Sequence, residues 1–197
     1  MMLWSRYGEG FNYDTPFADY WLTEISGLPS GLSSDMLRYD TMKHAHGMTR
    51  YHYRGMLVGS AFRWSGDQSS PFCPVALWRL WDKFQIQNST MIGWWEDVEE
   101  GNGTVPIQLT NPNFRATVYL KQGEAALIAI ADFTDSMSPY TTNVSLSFDW
   151  PALGLSASTA ALEMPTIEPF QLSGGRFPIN HTFKINATQG GLLLLLS

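Results

Sequence analysis

Cysteine and basic residues are scarce in this sequence, and each shortage excludes a class of protein. Cys73 is the only cysteine among 197 residues, so no disulfide can form within the chain. Cysteine usage therefore does not indicate whether the protein works in an oxidising or a reducing compartment. Lysine and arginine together number 12, against 18 acidic residues, which gives a net charge of -6. Because a phosphate backbone is bound through clustered basic residues, we expect no nucleic-acid partner.

Long apolar segments are also missing. The leucine run from Leu192 to Leu196 has five residues, whereas a membrane-spanning helix needs about 20. We therefore predict a buried strand there and no membrane partner. Met1 to Arg6 lacks the basic and long apolar segments of a secretory signal peptide. The chain opens instead in an apolar, strand-like run, from which we expect the natural protein to begin further upstream.

Aromatic residues, in contrast, are plentiful. They make up 14% of the chain and include 8 tryptophans, while the hydrophobic and charged fractions, 44% and 15%, are those of an ordinary globular protein. Aromatic rings at this density serve two purposes. They fill a core or an interface, or they stack on sugar rings, and composition alone leaves both interpretations open.

The first half of the chain alternates between strand-like and helical patterns. In order, we predict a strand ending near Tyr7, a helix over 17–26, a short helix over 33–38, a polar loop over 39–53, a strand over 54–62 and a helix beginning at Pro74. This order is typical of a parallel α/β arrangement, in which functional residues collect after the carboxyl ends of the strands.

The segment from Pro74 to Asp97 lies between two unlike halves. Its first part has apolar residues at helical spacing, with Pro74 suited to a helix start. Met91 to Trp95 follows as a short extended segment. After it, the chain predicts antiparallel strands over 113–120, 125–133, 144–150, 159–164, 167–172, 177–185 and 191–196. About seven strands without intervening helices favour a β-sandwich, self-contained from about residue 104 to residue 197, with Val144, Leu146, Phe148 and Trp150 inside.

Several blocks of sequence carry a family resemblance. They are Glu9 to Tyr13, Asp19 to Pro29, Arg54 to Met56, Leu77 to Asp82, Met91 to Trp94 and Asn113 to Tyr119. Together, in this order, they resemble the C-terminal part of the glycoside hydrolase 123-like proteins. The resemblance implies an α+β, β-dominated chain: the last two βα units of a (β/α)₈ barrel over residues 1–90, followed by an antiparallel β-sandwich over residues 91–197.

The same resemblance bears on catalysis. Enzymes of family 123 are N-acetylhexosaminidases in which an Asp-Glu pair works with the acetamido group of the substrate. This sequence contains no Asp-Glu pair, so the resemblance implies that the catalytic residues, unknown here, belong to barrel units upstream of Met1. Those missing units of the same protein are then a partner of this chain.

Substrate-binding residues are predicted from the strand ends. Glu9 follows the first strand, and Arg63 and Trp64 follow the second, so we expect these residues, with Trp4 and Tyr13, to contact a carbohydrate. Glycoside hydrolysis needs two placed carboxyl groups, and Glu9 is only one. An ordinary solvated loop acid is the alternative interpretation of Glu9.

Metal ions and cofactors are not predicted. His44, His46 and His52 match no metal-ligand spacing. The acidic run Glu96, Asp97, Glu99 and Glu100 lacks the spacing of a calcium loop, and a solvated linker is the simpler interpretation. The sequence has no glycine-rich phosphate loop and no nucleophile elbow.

Glycosylation sequons indicate a location. Asn88, Asn102, Asn143, Asn180 and Asn186 each begin the acceptor pattern for N-glycosylation. We therefore predict an extracellular or secretory-pathway glycoprotein; the alternative is that Asn, Ser and Thr are simply common in exposed strands.

Two functions of different classes follow from the sequence. The first is the C-terminal portion of a secreted glycoside hydrolase-like protein, inactive as this piece alone. The second is a non-catalytic structural or carbohydrate-binding β-sandwich module. An upstream reading frame with further βα units and a carboxylate pair would favour the first.

Overall fold

The fold is described from a computed structural model, which covers residues 5–7, 34–36, 47–59, 61–63, 74–96, 105–133, 140–168, 170–186 and 189–197. The predicted helix over 17–26 lies outside these residues. Within them, one small parallel sheet is followed by a helix-covered antiparallel sandwich.

The parallel sheet has three short strands. They are β1 (Ser5–Tyr7), β2 (Ser34–Met36) and β3 (Ala61–Arg63), in the spatial order β1-β2-β3. The predicted helix over 33–38 is wrong, because Ser34–Met36 is the central strand. Two serines are suited to a helix cap, but a three-residue segment has little preference of its own, and hydrogen bonding to both neighbouring strands decides its conformation.

Helix α1 (Gly47–Leu57) connects β2 to β3. The sequence predicted a loop over 39–53 and a strand over 54–62, and both are wrong for the residues that α1 occupies. Arg50 and His52 made the segment look like a polar loop, and Arg54 stood at the start of the predicted strand, but all three are buried in the helix. The partners of the two arginines are distant in the sequence, so no local pattern revealed them.

Helix α2 (Val75–Phe84) confirms the amphipathic pattern. Pro74 is its N-cap, one residue before the first helical position, and Leu77, Leu80 and Phe84 are its buried residues. The helix ends at Gln85, which adopts a left-handed conformation with φ 55°. A 3₁₀ turn (Ile86–Asn88) and strand β4 (Thr90–Ile92) follow, close to the predicted extended segment.

The second half is rich in strands, as predicted. The elements are β5 (Ile107–Leu109), β6 (Phe114–Lys121), β7 (Ala125–Asp132), β8 (Thr141–Phe148), α3 (Trp150–Leu153), β9 (Leu162–Met164), β10 (Gly175–Phe177), β11 (Thr182–Asn186) and β12 (Gly191–Leu196). Six strands pair in the order β10-β9-β12-β7-β6-β4, and three in the order β11-β8-β5.

Several of the predicted strands in this half are wrong in part. The strand predicted over 144–150 ends at Phe148, because Trp150 begins helix α3, and the strand predicted over 159–164 begins only at Leu162. The segment over 167–172 forms only an isolated bridge between Ile167 and Gln171. The segment over 177–185 is divided between β10, in the six-stranded sheet, and β11, in the three-stranded sheet. Pro178 lies at the division and has no N–H for a strand pair, and its carbonyl accepts from the His181 N–H in a turn.

The six-stranded sheet is buried on both faces. One face packs against the three-stranded sheet, where Val144 and Leu146 are buried and Phe148 and Trp150 are half-buried. The other face packs against α1 and α2. This second cover explains why β7 and β12 are almost continuously apolar, because a strand buried on both sides does not alternate.

Gln171 completes the hydrogen bonding of β12. Strand β9 pairs with β12 at Leu195 and Leu196, and among the described strands none pairs with Leu193 on that side. The buried Gln171 amide takes the place of one: its Oε1 accepts from the Leu193 N–H at 2.9 Å, and its Nε2 donates to the Leu193 carbonyl at 3.0 Å. Buried backbone groups need such partners, so Gln171 is a structural residue.

None of the helices in the described part of the chain is long and apolar enough to cross a membrane.

Candidate functional site

The carboxyl ends of the three parallel strands meet in one row. Tyr7 pairs with Met36 and Met36 with Arg63, each as Cα partners, so the last residues of β1, β2 and β3 lie side by side. In a parallel sheet this edge is where functional residues collect. Arg63, predicted to bind substrate, is the last residue of this row.

The other predicted binding residues lie outside the described ranges. Glu9 is two residues beyond the end of β1 along the chain, and Trp64 is one residue beyond the end of β3. Trp4 and Tyr13 are not described either. Met36 was not among the predicted site residues, because a strand of three residues such as β2 has no recognisable sequence pattern.

A buried ionic contact attaches α1 to the six-stranded sheet. The Arg50 guanidinium lies 3.4 Å from the Asp132 carboxylate, and the two side chains are 8% and 0% exposed. Arg54 donates from Nε to the Asp132 main-chain carbonyl at 2.7 Å, and its guanidinium lies over the Phe133 ring at 4.6 Å. Such a contact holds the helix in place, because breaking a buried pair leaves an uncompensated charge in the interior.

Tyr53 and His52 pack on the loop around Phe170. The Tyr53 hydroxyl donates to the Phe170 carbonyl at 3.2 Å, and the His52 ring meets the Phe170 ring edge-on at 4.8 Å. Burial raises the pKa of Tyr53 well above its ordinary value, so the hydroxyl stays protonated. His52, considered as a metal ligand, is here a buried residue in an aromatic contact.

The carboxyl end of α1 is held by strand β6 and helix α2. Thr117 donates from its hydroxyl to the Leu57 carbonyl at 2.7 Å, and the Tyr119 hydroxyl donates to the Met56 carbonyl. Trp81 of α2 donates from its indole N–H to the Met56 sulfur at 3.3 Å. The end of α1 is therefore fixed by side chains that lie 25 to 63 residues further along the chain.

Two glycines allow α1 to approach the sheet closely. A Cβ on Gly190 would lie 2.7 Å from the Arg50 Cβ, and Gly190 has a left-handed φ of +68°. A Cβ on Gly191 would lie 2.7 Å from the Tyr53 Cβ and would collide with the Ile130 carbonyl. Only glycine fits between helix and sheet at these two positions.

Aromatic and cationic side chains extend this interface beyond α1. The Trp94 ring lies 6.4 Å from the Phe133 ring and 5.9 Å from the Trp95 ring, and the Arg115 guanidinium lies over Trp94 at 5.4 Å. Burial lowers the pKa of Arg115 from its ordinary value. The Trp94 indole N–H is buried and finds no hydrogen-bond partner among the described residues. Arg115 thus covers one face of this half-buried ring.

A small groove lies between α2 and the strands β9 and β10. Its volume is about 200 Å³, its floor includes Leu80, Phe84 and Leu195, and its rim carries Lys83 and Arg176. Ligand pockets typically hold about 300–1,000 Å³. The groove is therefore too small to serve as a substrate pocket by itself.

Metal-binding clusters are absent from the residues that can be described: no group of three or more His, Cys, Asp or Glu side chains is placed to hold an ion. The sequon residue Asn102 is not described. The other four sequon asparagines, Asn88, Asn143, Asn180 and Asn186, are all exposed.

Comparison with known families identifies both halves. A family model described as glycoside hydrolase 123, C-terminal domain, matches residues 73–196, and one described as glycoside hydrolase 123, TIM-barrel domain, matches residues 2–65. No curated protein is similar enough to count as a match. The two matches confirm the predicted resemblance and the α+β, β-dominated fold class. The predicted boundary between residues 90 and 91 stays a prediction.

Proposed function

This chain belongs to the glycoside hydrolase 123 family, and from that premise we propose that the carboxyl edge of its parallel sheet binds a sugar carrying an N-acetyl group. The family makes the chain part of a carbohydrate-active protein. The observation that carries the proposal is the row formed by Tyr7, Met36 and Arg63. Loops after such a row build the active sites of barrel enzymes, and Glu9 and Trp64 follow two of these strands along the chain.

Hydrolysis, in this proposal, requires further barrel units of the same protein. Three parallel strands are described here, whereas a complete barrel has eight. Glycosidases also place two catalytic groups on either side of one bond, and Glu9 supplies at most one. We therefore assign to this chain sugar contacts through Glu9, Trp4, Tyr13, Arg63 and Trp64, and no complete catalytic apparatus.

We expect Arg63 to contribute to sugar binding. Arg63→Ala will weaken the binding of N-acetylhexosamine about tenfold, the worth of one hydrogen bond to a charged group. Titration of the chain with the free sugar, followed by NMR, measures the affinity. Arg176→Ala is the matched control, because Arg176 is 81% exposed and pairs with Glu163 in the C-terminal half of the chain. Equal affinities for wild type and Arg63→Ala would contradict the assignment.

Hydrolytic activity gives a second expectation. The 197-residue chain will release no product from aryl N-acetylhexosaminides above background, because general acid catalysis and a second positioned group together supply several powers of ten in rate. Turnover by the chain alone that Glu9→Gln abolishes would overturn this expectation and make Glu9 the catalytic acid. Sugar binding with no turnover, even when the upstream units are present, would instead support the non-catalytic module.

We also propose that the protein enters the secretory pathway and is N-glycosylated. The support is the exposure of the four described sequon asparagines, Asn88, Asn143, Asn180 and Asn186. When secreting eukaryotic cells produce the chain behind a signal peptide, enzymatic removal of N-glycans should lower its mass, and Asn88→Gln should remove one glycan. Asn113 is exposed and begins no sequon, so Asn113→Gln is the control and should leave the mass shift unchanged. Unmodified secreted protein would exclude the proposal.

A further inference from the structure

We infer that strand β6 of the C-terminal sheet sets the position of β3, and that Thr117 and Tyr119 are therefore positioning residues for the sugar-binding edge. Only the consequence for the sugar rests on the proposed function. The hydrogen bonds from β6 to α1, which comes just before β3 in the chain, do not depend on any ligand.

The end of α1 needs hydrogen-bond donors from outside the helix. The last four carbonyls of a helix have no partner within the helix and must find one elsewhere. Here the Val58 N–H donates to the Gly55 carbonyl at 3.1 Å, but the Gly59 N–H reaches the Met56 carbonyl only at 3.5 Å. The hydroxyls of Thr117 and Tyr119 supply further donors, to the Leu57 and Met56 carbonyls.

Burial makes these two hydrogen bonds strong. Thr117 is 0% exposed and Tyr119 is 5% exposed. Burial also raises the pKa of Tyr119 well above its ordinary value, so its hydroxyl remains a donor. Removing the donor from a buried carbonyl costs more free energy than removing it from a carbonyl at the surface, because water cannot take the donor's place.

A short connection joins the fixed end of α1 to β3. Gly59 turns the chain with a φ of +69°, and β3 begins at Ala61, four residues after Leu57. Helix α1 contacts β3 directly, as well as β6, β7 and β12. A strand of three residues makes few hydrogen bonds of its own, so the fixed end of α1 limits where Ala61–Arg63 can lie.

In this inference the first half of the chain contacts the sugar, and the second half positions the residues that do so. Thr117 and Tyr119 touch neither the sugar nor the reacting atoms. They determine where the last residue of β3, Arg63, lies in the row with Tyr7 and Met36. A small displacement of Arg63 would be enough to weaken a hydrogen bond to the sugar, because such a bond depends on direction.

Tyr119→Phe tests the inference, and Tyr53→Phe is its matched control. Both tyrosines are buried, and both donate to a main-chain carbonyl, but Tyr53 bonds to Phe170, away from the end of α1. Amide hydrogen exchange of the full chain should speed up at least tenfold at Ala61–Arg63 in Tyr119→Phe and stay unchanged there in Tyr53→Phe. Equal effects of the two variants at β3 would overturn the inference, as would wild-type β3 amides that exchange as fast as in an unfolded chain.

Thr117 provides a conservative rescue. Thr117→Val keeps the shape of the side chain and loses the hydroxyl, whereas Thr117→Ser keeps the hydroxyl and loses a methyl group. If the bond to the Leu57 carbonyl positions β3, Thr117→Val will accelerate exchange at Ala61–Arg63 and Thr117→Ser will resemble wild type. The opposite order would show that Thr117 acts by packing alone and would count against the inference.

Sugar affinity separates the inference from the proposed function. With N-acetylhexosamine as the probe, Tyr119→Phe should lose about as much affinity as Arg63→Ala, and Tyr53→Phe should lose none. If the sugar binds and depends on Arg63 but not on Tyr119, the inference fails and the proposed function stands. If exchange at β3 accelerates in Tyr119→Phe but no variant alters sugar binding, the proposed function fails and the structural hold stands.

Discussion

A fragment that begins near residue 104 will not fold into a stable domain, whereas one that begins at residue 47 will. The reason is that α1 and α2 cover the face of the six-stranded sheet that the three-stranded sheet leaves open. Leu127, Ala129, Ala131 and Leu193 are fully buried on the face that packs against α1 and α2. Removal of both helices would expose this contiguous apolar face, and monomeric proteins rarely expose such large patches.

Three fragments make the comparison. Residues 47–197 keep both helices, residues 74–197 lose α1 together with β3, and residues 104–197 lose both helices together with β3 and the edge strand β4. We expect cooperative thermal unfolding and a monomeric elution volume for the first, reduced stability for the second, and aggregation or dye-binding apolar surface for the third. A monomeric 104–197 fragment with cooperative unfolding would contradict this expectation and support the self-contained sandwich predicted from the strand pattern.

Asp132→Ala will lower the free energy of unfolding by about 3–5 kcal/mol, the usual cost of removing one partner from a buried ion pair. The change takes away the carboxylate that lies 3.4 Å from the Arg50 guanidinium, whose side chain is 8% exposed. The bond from Arg54 to the Asp132 main-chain carbonyl survives the substitution, so the loss belongs to the carboxylate. Urea unfolding followed by tryptophan fluorescence measures the change.

Glu163→Ala is the surface counterpart. Glu163 pairs with Arg176 at 3.9 Å, but the two side chains are 44% and 81% exposed. Exposed ion pairs contribute only about 0–1 kcal/mol, so this variant should unfold close to wild type. If Asp132→Ala were as mild as Glu163→Ala, the contact with Arg50 would not be what holds α1 to the sheet.

The elements that the sequence predicts correctly are those with a long, local pattern. Strands β6, β7, β8 and β12 and helix α2 were predicted because regular spacing over a whole element, or a continuous apolar run, leaves few alternatives. The family resemblance added the barrel end, which the short strands β1 and β3 alone could not indicate. Of the predicted binding residues, the structure describes only Arg63, as the last residue of β3.

The elements predicted wrongly are those whose contact partners are distant in the sequence. Helix α1 was divided between a loop and a strand, since Arg50 and Arg54 look like solvent-facing residues until Asp132, about 80 positions later, is placed beside them. Strand β2 was predicted as a helix because its conformation depends on β1 and β3.

By itself, the amino-acid sequence determined the antiparallel character of the second half, the amphipathic helix after Pro74 and the family, because each depends on local spacing or on ordered motifs. Only the tertiary structure decided that α1 lies on the C-terminal sheet. That choice depends on contacts between residues 25 to 117 positions apart, among them the ion pair of Arg50 with Asp132 and the hydroxyls of Thr117 and Tyr119. Such contacts are strong only when burial removes water from both partners. Because the two partners come from distant parts of the chain, no single segment of the sequence predicts them.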